Sequence, residues 1–270
     1  AEGIGWNWWT YKKYDTITTI ASVPLTKNYR TILDYWDGKI SKPTQAICVS
    51  GLMEMADGLL LKNCDIRKGV ISSLLEDSYR KESLPFKDHI IPGKIAFADY
   101  DLGALGLSYM DYDFMRTGVG DQLSGGNSGW SYRNDGVDIE LSTDTTLIPY
   151  NVGWTKSGEF MNYTVNVIKE GKYTFIARIA SEVNNSSISI FNNNEIIIKA
   201  IDLPNTGGSQ IWQDIQLGKV NLLKGNQIIT VRINRGGANL KILEIKSEEA
   251  SQGVRIFEYQ IYPNPMSEKI

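Results

Sequence analysis

The chain has 270 residues, 42% hydrophobic and 22% charged, which is enough apolar material for one large domain or two ordinary ones. Its 28 basic and 31 acidic residues leave a net charge of −3 with no Lys/Arg run, so the electrostatic footprint of a nucleic-acid binder is missing. No apolar stretch reaches the 18 residues of a membrane-spanning helix.

In chain order, Ile4-Gly-Trp-Asn-Trp-Trp-Thr-Tyr11 is apolar almost throughout, the pattern of a strand buried on both faces. No initiator Met or signal peptide precedes it, so a chain cut from something longer is expected. Tyr29, Ile32, Leu33 and Trp36 then mark one face of a short helix. Pro43 is expected to open a longer helix, with Ala46, Val49, Leu52, Met53, Ala56 and Leu60 as its buried face and Gly38 and Gly58 as interruptions. Ile66, Val70, Ile71, Leu74 and Leu75 give a third helical pattern. Cys48 and Cys64 fit no metal motif and read as two thiols or a single bridge. The single histidine, His89, rules out a His-rich metal site and lies in a segment read as linker.

Pro85 and Pro92 bracket that linker, and beyond it the period changes from about 3.6 to 2. Tyr163, Val165 and Val167 alternate, as do Tyr173, Phe175, Ala177 and Ile179. Ile229, Val231 and Ile233 continue the theme. Turn signals at Glu170-Gly171, Asn192-Asn-Asn194, Asn205-Thr-Gly-Gly208, Lys224-Gly-Asn226 and Gly236-Gly237 separate the runs, as in a sandwich or barrel. Gly118 to Pro149 reads as loop with two short strands. The fold class is therefore an all-β sandwich preceded by a short α/β segment. The expected units are 1–80, a linker over 81–92, the sandwich over 93–246, and a further linker and unfinished apolar piece over 247–270.

Tyr132-Arg-Asn-Asp-Gly-Val-Asp-Ile-Glu140, Tyr150-Asn-Val-Gly-Trp-Thr-Lys-Ser-Gly-Glu159 and Tyr163-Thr-Val-Asn-Val167 follow one another with Arg178-Ile-Ala-Ser181, Leu203-Pro-Asn-Thr-Gly-Gly208 and Gly236-Gly-Ala-Asn-Leu240. In order and spacing these six segments resemble a family 6 carbohydrate-binding module, a jelly-roll-like sandwich with a sugar cleft between loops at one edge. Flat rings stack on sugar C–H faces while amides and carboxylates fix the hydroxyls. The resemblance makes Trp154 the stacking ring, Asn239 the amide and Glu140 the carboxylate. On the residues alone, Trp154 is a core or a stacking tryptophan, with loop-like flanks favouring exposure. Asn239 is a turn residue or a ligand contact, and Glu140 a solvated or a cleft carboxylate.

The chain departs from the family in two ways. Ser209 stands where a second stacking Trp follows the Thr-Gly-Gly turn, and Trp212 matches a structural position. Losing one face of a sugar sandwich costs roughly 2 kcal/mol, more than tenfold in affinity. Phe160 and Arg232 match the aromatic and cationic positions of a second site on the sheet face, used by some relatives. The family's structural calcium takes acidic residues where this chain has Ala98 and Lys241, so no metal or other cofactor is expected there. Asp99, Asp101, Asp111 and Asp113 read as solvated turn carboxylates or as ligands of an ion elsewhere.

Gly5-Trp-Asn-Trp-Trp-Thr-Tyr-Lys-Lys13, with the helix ending Ile32-Leu-Asp-Tyr-Trp36, resembles the eighth strand and helix of a glycoside hydrolase family 5 (β/α)8 barrel. That implies a TIM-barrel remnant in which Trp9, or failing it Trp6, floors the subsite where the bond is cut. The two glutamates of the retaining mechanism belong to absent strands. Glu2, Glu54 and Glu76 lie at the wrong places, so no catalytic residue is expected and the chain is expected to be inactive. Tyr262-Pro-Asn-Pro265 resembles the opening of a Bacteroidetes type IX secretion sorting domain, which implies a secreted or cell-surface protein. The expected partner is a plant-cell-wall polysaccharide, a β-glucan or xylan, bound by a monomer. The rival readings are a degenerate spacer, or part of an active endo-glucanase if the missing strands are supplied.

Overall fold

The computed structural model describes residues 10–16, 19–112, 116–117, 124–129, 131–133 and 135–248. Trp9, Trp6, Glu2, Asp113 and the piece around Tyr262-Pro-Asn-Pro265 lie outside them. So does most of the strand expected over 4–11, and Tyr11 is exposed.

The N-terminal unit is a small sheet with three helices. Strand β1 (Lys12–Tyr14) pairs parallel with β2 (Ala21–Val23), which pairs antiparallel with β3 (Asp65–Ile66). Helix α1 (Lys27–Trp36) is capped by Thr26, whose side chain accepts from the Tyr29 amide. Gly38 ends it at φ +73°, a left-handed turn that favours glycine. Tyr29 and Ile32 are buried as the spacing predicts, whereas Trp36 is exposed.

Helix α2 (Gln45–Gly58) starts two residues later than Pro43 would place it, because Thr44 accepts from the Ile47 amide and caps it. Its buried face also differs from expectation. Val49, Leu52, Met53 and Leu60 are exposed, and so are Ala46 and Ala56. Gly51 and Met55 face α1 instead. A Cβ on Gly51 would stand 2.8 Å from Ile32 Cδ1 and 2.9 Å from the Asn28 carbonyl carbon, so the missing side chain lets the helices touch. Apolar residues surround most of this helix, so periodicity alone does not pick the contact face; the smallest residue does. Helix α3 (Lys68–Leu75) completes the unit, with Ile66 assigned to β3 rather than to the helix. Both cysteines are free thiols.

The segment read as linker is partly built into the sandwich. Strand β4 (His89–Ile91) runs parallel to Val165–Val167, and His89 is buried with its ring edge on Tyr163. The remaining strands are β5 (Gly93–Ala96), β6 (Tyr109–Met110), β7 (Arg116–Thr117), β8 (Ser124–Gly125), β9 (Ile139–Leu141), β10 (Tyr150–Val152) and β11 (Phe160–Val167). They continue as β12 (Gly171–Ser181), β13 (Ser187–Asn192), β14 (Glu195–Asp202), β15 (Gly208–Leu222), β16 (Gly225–Arg235) and β17 (Ala238–Ser247).

One sheet runs β15-β12-β17-β10-β9 with β5 on β17, and the other β14-β13-β16-β11-β4 with β6 on β11. The alternating residues of the sequence meet between them: Tyr163 and Val165, Phe175 and Ile179, Ile229 and Val231 are all buried. Period-2 patterning thus fixed which face of each strand turns inward. The fold is the all-β sandwich expected, with a few helices ahead of it.

Candidate carbohydrate-binding cleft

Register brings the cleft residues together. Asn151 on β10 stands opposite Glu140 on β9, and Val152 beside it pairs with Leu240 on β17. Val152, Ile139 and Leu240 point into the core, so Asn151, Glu140 and Asn239 turn to the outer face. Glu140 Oε1 accepts from Asn151 Nδ2 at 3.1 Å, Gln210 Nε2 at 2.9 Å and Asn239 Nδ2 at 2.8 Å. The other Asn239 amide hydrogen goes to the Ser209 carbonyl at 2.8 Å. Asn239 is therefore buried in a network rather than free in a turn, and among the described residues no donor is bonded to its Oδ1. Among the described residues no donor reaches Glu140 Oε2.

No sequence motif points to Gln210 or Asn151. Gln210 arrives through a bulge: Ile179 pairs with Gln213 and Ser181 with Gly208, so residues 209–212 stand opposite Ala180 alone. That slack brings Gln210 to Glu140 on β9, and its side-chain Oε1 also accepts from the Thr143 amide at 2.9 Å. Asn151 is a polar residue amid the apolar run Tyr150-Asn-Val152, a signal that strand parity makes readable.

Trp154 is 45% exposed, which decides against a core tryptophan. Its φ is +47°, a region costly to a residue with a bulky side chain. The preceding Gly153 lies against the network: a Cβ there would be 3.2 Å from Asn239 Oδ1 and 3.3 Å from Glu140 Oε1. On the other side, a Cβ on Gly129 would stand 2.8 Å from Trp154 Cζ3. The ring is thus held at the rim of the polar network by two glycines that leave it room. Ser209 is exposed, and its amide donates to Glu182 Oε1 at 3.2 Å. Ile211, 52% exposed, rests on the Gly207-Gly208 turn and gives this rim some apolar surface. Trp212 is half-buried and donates to Thr143 Oγ1 at 3.3 Å.

On the second sheet, Phe160 and Arg232 stand opposite each other on β11 and β16. The Arg232 guanidinium lies 5.0 Å from the Phe191 ring centroid, a cation–π contact, and Phe160 is half-buried.

The positions where the resemblance puts calcium ligands do not suit a cation. Lys241 is fully buried where β17 bulges against β12, and its ammonium donates to the Ile148 carbonyl and, at 2.9 Å, to the Tyr150 carbonyl. Burial pushes its pKa down. Ala98 offers no side-chain oxygen, and its carbonyl accepts from Arg133 at 3.3 Å. Nor are the nearby carboxylates solvated turn residues. Asp99 is buried and accepts from Tyr132 Oη at 2.6 Å and Lys87 Nζ at 3.0 Å. Asp101, fully buried, accepts from Thr164 N and Oγ1 and from Ser83 Oγ. Burial pushes the Asp101 carboxyl up despite those bonds. Asp111 is buried too. These aspartates bond within the sandwich because turns packed under the sheets need internal acceptors.

Glu54 accepts from Asn28 Nδ2 and Ser50 Oγ, both at 2.7 Å, and these bonds lower its pKa. It ties α2 to α1, and Glu76 ends α3.

Residues 130–247 match the family model described as Carbohydrate binding module (family 6). No curated protein matches the chain. Among solved structures, the chain is similar to a carbohydrate binding module of Cellvibrio mixtus lichenase 5A in complex with cellotriose, at 24% identity, 58% of this chain, 97% of that one and a TM-score of 0.41. It is also similar to the C-terminal module of LamC, a laminarinase of Zobellia galactanivorans, at 22% identity, 57% and 98% coverage and a TM-score of 0.42. A β-1,3-glucan binding module from Bacillus halodurans follows at 17% identity, 60% and 100% coverage and the same TM-score of 0.42. Residues 130–247, which build most of the sandwich, thus match a family 6 carbohydrate-binding module.

Proposed function

We propose that the sandwich binds a β-linked plant-cell-wall glucan or xylan in the cleft formed by Trp154, Glu140 and Asn239, with Gln210 and Asn151 holding the polar groups in place. The observation that carries this is the exposed Trp154 ring beside a carboxylate that gathers three amide donors. The ring offers a flat apolar face to a pyranose. Glu140 Oε2 and Asn239 Oδ1 are acceptors for sugar hydroxyls, and the shared Oε1 fixes where both point. A spacer with a degenerate cleft has no need of a tryptophan kept at positive φ.

The module serves a secreted plant-cell-wall glycoside hydrolase of family 5, to which residues 1–80 belong. Parallel pairing of β1 with β2 and the exposed apolar face of α2 support an α/β unit made to pack against more protein. Glu54 ties α2 to α1 and Glu76 ends α3, and the chain on its own is expected to be inert towards glycosidic bonds.

Affinity electrophoresis of the chain in gels containing barley β-glucan or xylan tests the cleft. Retardation in either gel, lost in Trp154→Ala at an unchanged thermal midpoint, is the expected result. Equal retardation of the two proteins moves the ligand to the sheet face near Phe160 and Arg232, and no retardation of either leaves the spacer.

A further inference from the structure

A cavity of about 620 Å³ lies where α3 of the N-terminal unit meets the sandwich, away from the Trp154 cleft. That size is ordinary for a small-ligand site, and such sites favour the seams between units. Phe86 and Tyr132 give its wall aromatic surface, and Val70 and Leu102 add aliphatic surface. Tyr132 is fixed by stacking on Tyr150 at 4.9 Å and by its bond to Asp99.

Three cations line the wall, Arg67, Lys87 and Arg133, against two carboxylates, Asp88 and Asp135. Lys87 pairs with Asp99 at 3.0 Å. Arg133 is held by Asp135 and packs between Phe86 and Tyr100, at 4.2 and 3.6 Å from their centroids. Asp88 also lines the cavity but is exposed. Arg67 differs from the other two cations. Its guanidinium reaches only backbone carbonyls, Tyr132 O and Thr16 O, each at 3.3 Å, and its buried Nε has no partner. Among the described residues no carboxylate neutralises it. Each terminal nitrogen keeps a second hydrogen to give, and a carboxylate is the group that pairs with a guanidinium in its own plane.

We propose that this cavity is a second saccharide site, specific for an acidic sugar whose uronic carboxylate pairs with Arg67 while the pyranose lies against Phe86 and Tyr132. The site is independent of the neutral-glucan cleft and stands or falls apart from it. Its wall comes from both units, so a sugar bound there also braces the N-terminal unit against the sandwich.

Calorimetry on the full chain with trigalacturonate, cellotriose and inorganic phosphate as separate probes tests this. Trigalacturonate is expected to bind more weakly as salt rises, and Trp154→Ala is expected to leave that binding intact. Arg67→Ala should weaken it by about tenfold or more, the scale of one charge-assisted bond. Should Arg67→Ala fold poorly, Val70→Trp fills the cavity from α3 while keeping Arg67 in the chain and should weaken binding equally. The proposal is overturned by no uronate binding, by binding that both cavity variants retain, or by binding that vanishes in Trp154→Ala. Phosphate binding as tightly as trigalacturonate reduces the cavity to an anion hole and overturns the sugar assignment.

Discussion

Asn239 donates its side-chain amide to Glu140 Oε1 at 2.8 Å although 99 residues separate them. The bond crosses β10, which lies between the strand of each residue in the sheet. It spends one amide hydrogen inside the protein, and the Ser209 carbonyl takes the other. Asn239 therefore shapes the cleft from within and presents an acceptor.

Removing the shared acceptor tests that arrangement. Glu140→Ala leaves one amide hydrogen each of Asn151, Gln210 and Asn239 without its carboxylate, and an unpaired buried donor costs about 1–3 kcal/mol. A thermal midpoint lowered by several degrees, with glucan binding lost, is the expected outcome. Unchanged binding would show that the network is no part of the site.

Ser209→Trp adds a ring next to Gln210 at an exposed position whose carbonyl accepts from Asn239. A sugar held on two faces loses more apolar surface to water, so affinity should rise by roughly tenfold. Isothermal calorimetry with a β-glucan oligosaccharide reads this directly, and an unchanged constant would place the ligand away from this turn.

Asp144 gives a pH prediction. Burial alone would push its carboxyl up, but bonds from Thr146 and Arg178 outweigh that and hold it at about 2, below the ordinary 3.8. A carboxyl depressed on folding contributes stability that is present above the unfolded value and is lost as pH falls through the folded one. Asp144→Asn should therefore lower the thermal midpoint at pH 6, and the gap to the wild type should narrow from about pH 4 and close near pH 2. A gap independent of pH would contradict this.

Lys241→Met removes an ammonium that holds the carbonyls of Ile148 and Tyr150. Both would lose a donor beneath the sheet, at a cost of about 2–4 kcal/mol that the gain in apolar packing offsets only in part. The segment from Thr143 to Tyr150 should exchange its amide hydrogens faster, and Thr143, which bonds Gln210, lies within it. Protection unchanged in this segment would show that the ammonium does not anchor it.

The sequence by itself determined the sandwich, because period-2 alternation in Tyr163–Val167, Tyr173–Ile179 and Ile229–Ile233 leaves each strand one way to face a core. It also carried the family resemblance and directed attention to Trp154, Glu140 and Asn239. Tertiary structure alone decided the rest. Gln210 reaches Glu140 only through a four-against-one bulge, and no local pattern records how far a bulged strand swings. The contact face of α2 was settled by Gly51, since a helix apolar nearly all round packs where backbones come closest. Asp99 and Asp101 read as turn carboxylates until packing buried them with Lys87, Tyr132 and Thr164 as partners. In each case the deciding contact joins residues far apart in the chain, and only the fold sets the distance between them.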